Sequence, residues 1–153
     1  MASGGVLGFG TKVAFSNSSP VSWTAVPQIL DITFPGLNPD EVETTVHGTL
    51  PYKRFMRGLI DVSELTLTLE LDLASNSVHR TLRTLQLNGT TVWWRIEVPE
   101  NRERTSWVAF EFQGWVKSWV PSTPIADKQT LEVSIRFDGT DFAMYAPGTS
   151  QIS

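Results

Sequence analysis

Few side chains in this sequence are of the types that do covalent or metal chemistry. There are 2 histidines, His47 and His79, and no cysteine, which excludes thiolate metal sites, thiol nucleophiles and disulfides. His47 lies in a polar stretch downstream of Asp40, Glu41 and Glu43. One imidazole and scattered carboxylates, with no second His and no Cys nearby, fall short of the usual zinc ligand set. His79 follows Val78 early in a predicted helix and is expected to face solvent or a sheet edge. The acidic pairs Glu70/Asp72 and Glu97/Glu100 have the residue type a glycosidase uses, but 16 carboxylates in one chain produce such pairs by chance, and solvated faces explain them. No Gly-x-Ser-x-Gly elbow and no phosphate-cradling glycine loop is present. The glycines of "GVLGFG" at 5–10 have no strand before them. The reading is a protein that is not an enzyme and needs no metal and no cofactor.

The aromatic residues are the second chemical signal, with 6 Trp and 8 Phe against 2 Tyr. Trp93 and Trp94 are neighbours on a predicted strand, so they point to opposite faces. Across 106–120, Val108, Phe110, Phe112, Val116 and Val120 alternate with Trp107, Glu111, Gln113, Trp115, Lys117 and Trp119. Three readings of the tryptophan face stay open: a stacking platform of a carbohydrate-binding module built on Trp93, Trp107, Trp115 and Trp119, a protein interface, or a second core covered by the helix. A net charge of −4 argues against a surface that grips phosphate. The first residues lack a basic region followed by an apolar run, and no stretch is apolar enough to span a membrane; no membrane partner is expected.

The elements that would position these residues are mainly β. Residues 1–20 are rich in Gly and Ser and are expected to be partly flexible, with Val13 and Phe15 at the start of a strand. Residues 21–34 are β-rich with Pro27 as an interruption. Segment 36–57 reads as a long polar loop, of a length that is usually functional or disordered. "GLIDVSELTLTLELDL" at 58–73 places leucine at 65, 67, 69 and 71. Read as one strand over 59–72 it would span roughly 43 Å at about 3.3 Å per residue. One helix is predicted over about 76–87, capped by Asn76 or Ser75, with Val78, Leu82 and Leu85 on one face and Asn88-Gly89 closing it. Strands resume with "TVWWRIEV", 106–120 and "TLEVSIRFDG", where Leu131, Val133 and Ile135 oppose Glu132, Ser134, Arg136 and Asp138. The predicted class is an antiparallel β-sandwich or barrel with one flanking helix, in a single domain over 1–153.

The order of "DITFPGLNPDEVETTVHGT", "RGLIDVSELTLTLELDL", a helix, "VWWRIEVPE", "FEFQGWVKSWVPSTP" and "LEVSIRFDGT" over residues 29–142 resembles the major tail tube protein of long-tailed, non-contractile bacteriophages, whose fold is shared with the type VI secretion tube protein. The resemblance implies a structural virion protein of the phage tail, made and assembled in the host cytoplasm, without the C-terminal immunoglobulin-like domain of some members. It implies six-copy rings stacked into a hollow tube, in which each copy gives a four-stranded sheet to a 24-strand inner barrel and the long loop reaches a neighbouring ring or subunit. Expected partners are further copies of the chain, the tape measure protein, the tail tip or initiator, the tail terminator, and double-stranded DNA passing without specific binding. On this reading Thr66, Thr68, Glu70, Asp72, Glu132, Ser134 and Arg136 are candidates to face the channel. Asp40, Glu41, Glu43, Thr44, Thr45, Tyr52, Lys53, Arg54 and Phe55 are candidates for ring stacking. Six copies at −4 each carry −24, which repels rather than binds passing DNA. A non-polymerising terminator or tip ring of the same fold is the alternative within this family. In either case the strand at 59–72 is expected to lack neighbours until other copies supply them.

Overall fold

The computed structural model describes residues 10–17, 22–44, 52–75, 77–101 and 103–152. Its two longest strands, β8 (Trp107–Ser122) and β9 (Thr130–Met144), organise the rest. On one edge β8 pairs with β7 (Val92–Pro99) from Trp107 to Gly114, and on the other it pairs with β9 from Phe110 to Ser122. Gly114 sits where the β7 ladder ends and the register against β9 shifts, and a Cβ there would lie 2.5 Å from the Arg136 carbonyl oxygen. The ladder continues outward through β1 (Lys12–Ser16) and β2 (Thr24–Ala25) on one side, and through β6 (Leu65–Glu70) and β3 (Ile29–Thr33) on the other. The seven-stranded antiparallel order is β2-β1-β7-β8-β9-β6-β3.

The two ends of this order are consecutive in the chain. Val26 N donates to Val13 O at 2.9 Å, and Glu70 N donates to Gln28 O at 2.9 Å. Pro27 has no N–H to offer, and Gln28 turns the corner with φ 62°. The sheet therefore rolls into two facing layers, with no closed barrel ladder among the described residues. Their inner faces hold the core. Leu65, Leu67 and Leu69 are fully buried, with Val13, Phe15, Trp94, Ile96, Phe112, Val116, Leu131, Val133 and Ile135 around them. Each such side chain contributes about 1.5–3 kcal/mol by leaving water.

Helix α1 (Val78–Asn88) packs against β8 and sends Leu82 and Leu85 into the core. Its N-cap is Ser77, whose hydroxyl accepts from Arg80 N at 3.3 Å. The sequence reading put the cap at Asn76 or Ser75; Asn76 lies outside the described residues. Gly89 closes the helix in the left-handed conformation, where a glycine carries no Cβ penalty. His79, expected to face solvent or a sheet edge, is fully buried. Its Nδ1 accepts from Asp72 N at 3.0 Å, and its Nε2–H donates to Pro27 O at 3.2 Å. The imidazole thus satisfies two backbone groups where the helix meets the corner.

Two expectations about the middle of the chain are corrected. The strand read over 59–72 is broken at Ser63–Glu64. Upstream of the break, β5 (Phe55–Val62) leaves the main sheet and pairs with β4 (Leu37–Glu43) as a separate two-stranded ribbon. Ser63 pins the departure: its hydroxyl accepts from Gly36 N at 2.6 Å, and its N–H donates to Gly36 O at 3.0 Å. The leucine alternation starts only at Leu65, whereas Leu59 and Ile60 are adjacent and cannot share one face. Downstream, β6 is matched on both flanks within the chain by β3 and β9, so it is not a strand waiting for neighbours. The segment read as a polar loop over 36–57 carries most of the ribbon. Residues 45–51, with Thr45 and His47, lie outside the described residues.

Candidate functional site

The polar faces of β6 and β9 meet in register. Thr66 lies opposite Ser134 and Thr68 opposite Glu132; on the other flank Thr33 and Asp31 of β3 continue the same rungs. Ser118 of β8 extends the Ser134 rung, and Arg136 lies opposite Trp115. Directly opposed residues share a face, so four strands, β8-β9-β6-β3, present one outward surface, mostly of Thr, Ser and charged side chains, with Trp115 and Val120 of β8 on it. Thr66 and Thr68 are half-buried, Ser134 is buried, and Glu70 and Glu132 are exposed. Arg136 reaches Asp61 at 3.8 Å at the foot of the ribbon. Asp72 is not on this face with the others: it lies past the end of β6, and its carboxylate accepts from Ala74 N at 3.0 Å in the turn before the helix. Asp31, Thr33 and Ser118 belong to the surface without having been singled out from sequence, since register across strands has no local signature.

The ribbon is the second surface. Thr44 N donates to Arg54 O at 2.8 Å beyond the strand ends. Glu41 lies opposite Arg57, and Glu43 opposite Phe55, on one face. Asp40 occupies the irregularity between Pro39 and Glu41. Tyr52, Lys53 and Arg54 are exposed ahead of β5. The opposite face carries Leu37 with Val62, Pro39 with Ile60, and Val42 with Met56. Sequence reading missed this apolar stripe, because each strand alone looks mixed.

The outer face of the other layer holds a buried ion cluster. Arg95 Nε donates to Glu97 Oε2 at 2.8 Å, and its Nη1 donates to Glu111. The C-terminal residues cross this face. Trp107 and Gly148 exchange backbone hydrogen bonds of 2.8 and 3.0 Å. Ser150 Oγ donates to Glu97 at 2.5 Å, and Gln151 N donates to it at 2.9 Å. Lys12 Nζ donates to Ser150 Oγ and to the Ile152 carbonyl. Burial opposes the charge of Glu97, but the Ser150 hydroxyl, the Gln151 N–H and Arg95 together outweigh it and hold the carboxyl below its ordinary value.

Of the tryptophans read as one face, Trp119 leaves it and Trp107 is covered. Trp94 is in the core, with Nε1 donating to Gly114 O at 3.2 Å. Trp107 lies under Lys12, whose ammonium is 4.7 Å from the ring centroid, and Trp23 lies 5.9 Å from the Arg95 guanidinium. The register shift between Val116 and Ser118 reverses the alternation read over 106–120. Trp119 therefore packs on the core, with Nε1 donating to His79 O at 3.0 Å, and Val120 is exposed. The cover over the Trp107 face is the C-terminal segment rather than the helix. Among the described residues no group of three or more His, Asp or Glu is placed to hold a metal.

No protein-family model matches the chain, and no curated protein matches its sequence. Solved structures do. The chain is similar to a sheath/tube terminator of an extracellular contractile injection system, PVC, with TM-score 0.73 at 14% identity, covering 95% of this chain and 100% of that one. It is similar to the tail of an empty gene transfer agent particle refined with C6 symmetry, with TM-score 0.68 at 9% identity, covering 88% and 95%. It is also similar to the SPP1 tail tube, with TM-score 0.64 at 13% identity, covering 97% and 81%. The fold of this chain is the one shared by tail-tube and tube-terminator proteins.

Proposed function

We propose that this chain is the tail tube protein of a long, non-contractile phage tail: six copies close into a ring, and rings stack into a hollow tube that conducts the genome. The observation that carries the reading is the four-stranded sheet β8-β9-β6-β3 with a polar outer face. Among the described residues no strand pairs with the outer edge of β3, or with the second edge of β8 past Gly114. Open edges on both sides of one sheet suit a head-to-tail contact that closes as a ring. In that ring Thr66, Thr68, Glu70, Glu132, Ser134 and Arg136 face the channel, with Asp72 at its rim. The ribbon, including Asp40, Glu41, Glu43, Thr44, Tyr52, Lys53, Arg54 and Phe55, reaches a copy in the adjacent ring. The role is structural rather than catalytic, in a virion tail, beside a tape measure protein and the proteins that start and end the tube. DNA passes over a lining of hydroxyls and carboxylates that offers few cationic contacts.

Electron microscopy of the concentrated protein tests this. Hollow sixfold rings or tubes are expected, and Thr68→Cys, in a chain without native cysteine, should lose reactivity toward a bulky maleimide on assembly. A protein that stays monomeric, or whose residue 68 reacts equally in both states, would overturn the reading. A terminator ring is the second reading, favoured by the terminator's full-length superposition. It predicts rings that add to tube ends and do not extend.

A further inference from the structure

The ion cluster on the outer face of the β1–β7–β8 layer is only partly explained by the anchoring of the last residues. A buried charge cluster is weak evidence for stability, because apolar side chains of similar volume often do as well. This one also forms the floor of a cavity. Between the Trp107–Gly148 bridge and the Glu97 anchor, the C-terminal residues border a space of about 430 Å³. It is lined by Arg95, Glu111, Trp107, Tyr145, Thr149 and Gln151 among others. Small-molecule sites have this size, with aromatic walls and a few placed polar groups.

Arg95 and Glu111 are 6% and 7% exposed, and what they leave open is specific. Arg95 Nε donates to Glu97 and its Nη1 donates to Glu111. The side-chain donors sealed from solvent without a partner are the indole N–H groups of Trp23 and Trp107. Arg95 Nη2 also makes no hydrogen bond among the described residues, and it is open to the cavity. Glu111 accepts from Arg95 through Oε2 and from the Tyr145 hydroxyl through Oε1 at 3.3 Å. A carboxylate has about four lone-pair positions, so Glu111 keeps acceptor capacity. A donor and an acceptor thus stand side by side, each held in place by its neighbours. Tyr145, 47% exposed, offers aromatic surface beside them.

Charge decides what fits. One guanidinium between two carboxylates leaves the floor negative, which disfavours phosphates and carboxylates. The guanidinium itself, and Lys12 over the Trp107 ring, disfavour a cation. A neutral molecule remains, with adjacent groups that both donate and accept and an apolar face to lie on an aromatic ring. Neighbouring hydroxyls of a sugar have this character. We propose that the cavity binds a neutral sugar ring, with one hydroxyl donating to Glu111, the next accepting from Arg95 Nη2, and Tyr145 stacked on the C–H face. On the tube reading given above, the sheet β8-β9-β6-β3 faces the channel, so this cavity lies on the far side of the sandwich, toward the outside of the tube. Only that outward display rests on the tube reading. Cavities repeated around a ring and along stacked rings hold a polysaccharide about 10²–10⁴ times more tightly than one cavity holds one sugar.

Saturation-transfer NMR on the full chain tests this, with glucose, galactose, mannose and N-acetylglucosamine as probes and glucuronate as the charged comparison. Transfer to at least one neutral sugar is expected, with a Kd on the order of 1 mM for a single ring. Tyr145→Ala and Glu111→Gln should each weaken binding about tenfold or more, while Tyr145→Phe, which keeps the ring, retains most of it. Melting temperatures check that each variant folds; if Glu111→Gln does not, the surface variant Tyr145→Ala decides. No transfer to any of the four sugars, or equal binding by Tyr145→Ala, would overturn the site. Glucuronate binding more tightly than glucose would overturn the assignment to neutral sugars. Binding lost in Trp115→Ala but kept in Tyr145→Ala would place the sugar on the opposite layer and overturn the cavity. Rings without sugar binding overturn this inference alone. Sugar binding by a chain that forms no rings supports the cavity and overturns only its repeated display.

Discussion

Glu97→Gln probes the point where the C-terminal residues are tied to the sheet. The carboxylate is fully buried, and three donors converge on its two oxygens: Arg95 Nε at 2.8 Å, Ser150 Oγ at 2.5 Å and Gln151 N at 2.9 Å. Glutamine keeps the shape but has one oxygen, so its NH2 group must face at least one of these donors. The Arg95 charge keeps Glu111 as a partner, which spares the full penalty of an orphaned buried ion. Losing hydrogen bonds to a charged acceptor, with a donor left unpaired, costs about 2–3 kcal/mol. For a chain of this size that lowers the melting temperature by roughly 5–10 °C. The pH dependence supplies a second reading. The folded carboxyl sits below its ordinary value of 4.5, so its contribution is fully present above that value and is lost as pH falls through the lowered folded value. The gap between wild type and Glu97→Gln should therefore be constant near neutrality and narrow below about pH 4.5. Circular dichroism melts between about pH 7 and pH 3 measure both effects. A gap under about 2 °C at neutrality, or one that does not change on acidification, would refute the reasoning that this carboxylate anchors the C-terminal segment.

Other consequences follow from the same contacts. His79→Leu leaves the Asp72 N–H and the Pro27 carbonyl without their partner, and chemical denaturation should show a loss of about 2–4 kcal/mol. Gly114→Ala would place a Cβ 2.5 Å from a backbone oxygen of β9; a loss of about 1–3 kcal/mol is expected, and an unchanged midpoint would show that β8 and β9 move apart there without cost. Glu70→Lys with Glu132→Lys should leave tube formation intact and slow genome release, through cationic contacts to phosphate; unchanged release kinetics would count against a channel position for both.

How much of this was legible in the chain depends on the range of the interaction. Alternation is local, and it worked where a strand lies between two others over a core. Leu65, Leu67 and Leu69, and likewise Leu131, Val133 and Ile135, are all inside. The helix was legible too, since its stripe and its Asn-Gly stop are set within one or two turns. The polar partners Thr66, Thr68, Glu132 and Ser134 were found as two separate faces, and only pairing in register made them one surface. The ribbon's apolar stripe was hidden for the same reason: it alternates across two strands, with an irregularity at Asp40 that shifts one against the other.

What the residues determined by themselves is the class of the fold, its leucine core, its single helix, and the lack of thiol chemistry. Each of these depends on residue type or on spacing within a few positions. Tertiary structure alone decided the break at Ser63–Glu64, the reversal of Trp119 and Val120, the burial of His79, and the anchoring of the last residues on Glu97. These turn on backbone register and on hydrogen bonds spanning up to 54 positions of chain, where the free energy is set by which groups meet. Composition and periodicity do not encode such meetings, because any one of them can be made or lost by a single added residue in a distant strand.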